Sequence, residues 1–251
     1  MIQLAVRNAP KGHLLPHVAT LLARADVLCH QIAGRDLGDT PLYIVPQSLL
    51  PAGYYEGAYH YAFTTPSLDI YLADHIKPYR GRGPCMLIND LGLVEDIGPF
   101  DLEYMVTKIV LHELAHILDR PALFADRTGE DPNKLLFESL VIADTTKRND
   151  PSDLPAFYGH GASFIRIALH LCHRATLLGI DIPPAGICDG RRYGISHASD
   201  YEDALGDEPA RCVDMLFREI NAMEAPPEFS QLWASDYVSY HVRFPHIKRR
   251  V

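Results

Sequence analysis

The chain has 251 residues, of which 47% are hydrophobic and 22% charged, enough to bury a core as one large domain or two small ones. The formal net charge of −9 and a pI near 5.8 argue against a nucleic-acid partner, because binding phosphate requires clustered cations. The one dense basic cluster, Lys248-Arg249-Arg250, reads as a short exposed tail.

No stretch approaches the roughly 20 apolar residues that cross a bilayer, so no membrane association is expected. Residues Met1 to Pro10 lack the basic start, apolar middle and small-residue cleavage site of a signal peptide; the expected location is the cytoplasm. The cysteines, Cys29, Cys85, Cys172, Cys188 and Cys212, are odd in number, widely spaced and without a Cys-x-x-Cys pair, which argues against a disulfide framework and a zinc ribbon.

In chain order, Leu14 to Ala33 carries apolar residues at helical spacing, with Gly34 as the stop. Leu42-Tyr43-Ile44-Val45 is a short β-prone run bounded by prolines, and Ala58 to Leu72 is an aromatic stretch that suggests one or two strands. Cys85-Met86-Leu87-Ile88 is another short apolar run and reads as a strand. A long helix follows Asp101 to about Leu118, with Leu102, Met105, Ile109, His112 and His116 recurring at spacings of three and four; Pro121 ends it.

Further helices fit Pro132 to Lys147, Ala162 to Leu178 with Gly179 as the stop, and Glu208 to Met223. The order predicts an α+β fold with a small mixed sheet and a mostly helical C-terminal half. The expected domains are residues 1–182 and a helical extension, 183–251, packed on the same domain.

The chemistry concentrates at His112-Glu113-Leu114-Ala115-His116. On a helix, residues four apart project from one face with Cβ atoms about 5–6 Å apart. Two imidazoles can then meet one ion at about 2.0–2.1 Å. Glu113 stands beside the first ligand, placed to take a proton from a water on the metal as it attacks a carbonyl. Such a five-residue match arises by chance in roughly one chain of this composition in thirty. Chance matches fall on loops and strands as readily as on helices, and this one lies on the clearest helix of the chain.

The stretch Val110 to Asp119 resembles the active-site helix of the zincin metallopeptidases. Cys85 to Ile88 resembles the edge strand along which that family aligns an extended substrate; such a strand needs free main-chain groups. The resemblance implies a zincin-like fold, one Zn2+ ion, a peptide or protein substrate, and hydrolysis of a peptide bond through zinc-bound water with Glu113 as general base. The metzincin subclass is excluded, because position 122 is alanine and position 119 is aspartate.

A catalytic zinc takes three protein ligands, and two residues compete for the third place. His160 is preferred: it lies between glycines at the start of a helix, and His160-Gly161-Ala162-Ser163-Phe164 resembles the third-ligand segment of SprT-like metallopeptidases. Glu138 is the rival, 22 residues after His116 as in gluzincins, although position 142 is isoleucine rather than an acidic partner. Asp119, one turn after His116, is expected either to orient a ligand imidazole or to pair with Arg120. Tyr158, Tyr193, His197 and Tyr201 are candidate oxyanion donors, Tyr158 first among them. His170 and His173 read as a helix face rather than a second metal pair. Cys172 has no basic neighbour in sequence to activate it. A catalytically silent metal-binding protein of the same fold, acting through a protein partner, is the alternative.

Overall fold

The computed structural model describes residues 16–51, 61–65, 68–97, 101–119, 160–188 and 196–243. The expected helix over Pro132 to Lys147, together with Glu138, Tyr158, Tyr193 and the basic tail, lies outside them. The architecture is mixed α and β, mostly helical, with one small sheet. It groups into two compact units, Met1–Val141 and Ile142–Val251. The helix beginning at Ala162 therefore groups with the later residues, whereas the expected boundary at 182 placed it with the earlier ones.

In the first unit, α1 (Pro16–Leu37) buries Val18, Leu21, Leu22, Ala25, Leu28 and Ile32, the stripe that the apolar spacing predicts. It passes the expected stop at Gly34, because the residue that takes up positive φ is Gly38 (φ 57), whose N–H returns to the Gly34 carbonyl at 2.9 Å. Strand β1 (Tyr43–Pro46) leads into a 3-10 turn, and β2 spans Ala62–Thr64.

The rest of the aromatic stretch does not continue as strand. Leu68–Tyr71 forms the single helical turn α2. Leu68 and Leu72 are both fully buried, and the Leu72 N–H returns to the Leu68 carbonyl at 3.0 Å, the four-residue bond of a helical turn. The buried Asp69 carboxylate accepts from Arg82 Nε at 2.9 Å and from the Gly83 N–H at 3.0 Å, which ties α2 to the entry of the next strand.

That strand, β3 (Cys85–Ile88), corrects the expectation of a substrate-aligning edge. The sheet order is β1-β3-β2, with β1 parallel and β2 antiparallel to β3. Both main-chain edges of β3 are paired, and all four of its residues are buried. An unbroken apolar run belongs to such a central strand, where both faces are covered. Helix α3 (Asp90–Asp96) follows, its start capped by the Asn89 side chain, which accepts from the Gly92 N–H at 2.9 Å.

Helix α4 (Leu102–Asp119) begins where the Met105 N–H returns to the Asp101 carbonyl. It packs against α1 and β2. Its deepest face is Leu102, Val106, Val110, Glu113, Leu114 and Ile117, while Met105, His112 and His116 form a half-buried stripe on the flank.

In the second unit, α5 (Ala162–Leu177) ends at Gly179 (φ 79) and is buried over most of its surface, including Arg166, His170 and Arg174. Around it lie α6 (Pro184–Cys188), α7 (Ala198–Leu205), α8 (Glu208–Arg211), α9 (Phe217–Ala222) and α10 (Pro227–Arg243). The single helix expected over Glu208 to Met223 is thus two short ones. The Arg174 guanidinium donates to the Met215 carbonyl, and Arg166 donates to the Met223 carbonyl at 2.9 Å. These buried arginines draw on carbonyls that a continuous helix would direct along its own axis.

Candidate metal centre

His112 and His116 are presented by one turn of α4, with ring centroids 4.9 Å apart and planes nearly perpendicular. His160 precedes the first residue of α5, where Gly161 is the N-cap in an extended conformation. Its ring stands edge-on to Phe164 at 4.7 Å and is buried, 7% exposed. One ring nitrogen from each of His112, His116 and His160 lies within 4.8 Å of the other two. Three imidazoles are a donor set suited to a first-row divalent ion.

Glu113 is the other unusual group. It is 4% exposed, and its Oε2 has no hydrogen-bond partner among the described residues. Burial pushes its carboxyl up to about 8, against a smaller opposing pull from a hydrogen bond to the Thr64 main chain. Thr64 lies on β2, which is terminal in the sheet, and its hydroxyl donates to the Cys85 carbonyl at 2.7 Å. Sequence reasoning missed Thr64: the Thr-Thr-Pro run reads as a strand break, and its approach to α4 depends on a strand pairing that local sequence does not encode. The structure therefore puts β2, not β3, beside Glu113. An unpartnered buried carboxylate oxygen and three clustered imidazoles are together what a divalent ion and its water can satisfy.

The other expected residues fall as follows. Asp119 is the last residue of α4 and is half-buried. Tyr201 is fully buried on α7 and packs on Phe229 at 5.4 Å. Its hydroxyl donates to Asp236 at 2.8 Å, so it is a packing residue rather than an oxyanion donor. His197 caps α7, its main-chain N–H donating to Asp200 at 2.6 Å. His170 bonds Glu208 at 2.9 Å. Cys172 is buried, and burial pushes its thiol far above the usual range, consistent with an inert side chain. Among the described residues, no helix is long and apolar enough to cross a membrane. No family model, no curated relative and no solved structure matches the chain.

Proposed function

We propose that the protein is a zinc-dependent hydrolase of the zincin type that cleaves peptide bonds, with His112, His116 and His160 holding the ion and Glu113 as general base. The observation that carries this reading is the clustering of the three ring nitrogens beside a buried carboxylate that retains a free oxygen. When bound, the ion acidifies a water and polarises the scissile carbonyl.

The residues of the chain do the rest. Glu113 accepts the water's proton at Oε2 and returns it to the departing amine, while the Thr64 main chain favours the charged form of the carboxylate. The burial of Glu113 excludes bulk water from the proton transfer. Asp119 orients an imidazole on the turn before it. In this reading an extended peptide lies beside β2, the strand whose main chain reaches Glu113.

The test is elemental analysis of the purified wild type and of His112→Ala and His160→Ala, with turnover of a mixed peptide pool measured on the same samples. About one zinc per chain in the wild type, lost in both variants together with turnover, is the expected result. Zinc retained in His160→Ala would remove that residue from the ligand set and favour Glu138. Absence of metal from wild type supplied with zinc would overturn the reading. The near-complete burial of Glu113 favours one second reading, a metal-binding protein that cleaves nothing. Stoichiometric zinc without turnover of any peptide would select it.

A further inference from the structure

We draw no further inference here: the strongest candidate, the cavity along β1 walled by Asp26, Asp39, Lys77 and Arg80, carries nothing, because its carboxylates and cations balance one another and nothing in the structure shows what covers the strand beside it.

Discussion

At the scale of single residues, Glu113 carries the sharpest consequence of the proposed chemistry. Glutamine keeps the shape and the hydrogen bond to the Thr64 main chain but cannot take a proton. Glu113→Gln should therefore retain zinc while peptide turnover falls by about 10²–10⁴-fold, the usual contribution of a general base; metal analysis and a turnover assay on one preparation check both halves. Full turnover in that variant would sink the mechanism. The histidine pair was legible in the sequence because four-residue spacing on a helix dictates that His112 and His116 share a face. His160 was legible more weakly, through glycines that admit close approach, and its neighbours in space depend on the tertiary fold. Thr64 was not legible, since a main-chain donor leaves no trace in residue type.

Element by element, the sequence succeeds where one face of a helix is buried and fails where tertiary bonds interrupt a pattern. The stripes of α1 and α4 follow apolar period directly. The seam of α10, Phe229, Trp233 and Asp236, is buried at helical spacing, but an aspartate at the third position hides it. That carboxylate accepts from the Ser196 hydroxyl at 2.6 Å and from Tyr201, partners remote in sequence. At the entry to β3, a Cβ on Gly83 would collide with the main-chain oxygen of Pro41, next to β1. Gly83→Ala should accordingly cost about 1–3 kcal/mol through forced backbone shifts, read as a lower urea midpoint with an unchanged slope.

A second element-level prediction concerns the polar core under α5. Burial lowers the pKa of His170 against the opposing pull of Glu208, with Arg166 and Arg174 also disfavouring its charge. Burial alone would raise Glu208, but hydrogen bonds from His170 and Arg166 outweigh it and hold the carboxylate below its usual range. Above pH about 6.5 His170 is neutral folded and unfolded alike and costs nothing. Below that value the unfolded chain takes up a proton that the folded one resists, so stability falls as pH drops. Glu208 adds its own loss only at lower pH, below the ordinary carboxylate value. In His170→Gln, whose amide can still donate to Glu208 but cannot titrate, the decline in urea midpoint between pH 7 and pH 5 should be shallower than in wild type. An identical decline would mean that His170 is not the group responsible.

For the whole molecule, an ion held by three histidines must appear as stability, because anything that binds the folded chain and not the unfolded one shifts the balance by mass action. At free zinc of about one hundred times the dissociation constant, the gain for a single site is about 2.7 kcal/mol. Here the unfolded chain competes. All five cysteines are free and buried in the fold, and unfolding releases five thiols with a strong affinity for zinc. The measured gain should thus fall short of the single-site figure. Thermal melts with zinc and with chelator check this. In His112→Ala the folded site is gone while the thiols remain, so zinc should no longer raise the melting temperature and should instead lower it slightly. A rise in that variant as large as in the wild type would place the stabilising ion somewhere other than α4.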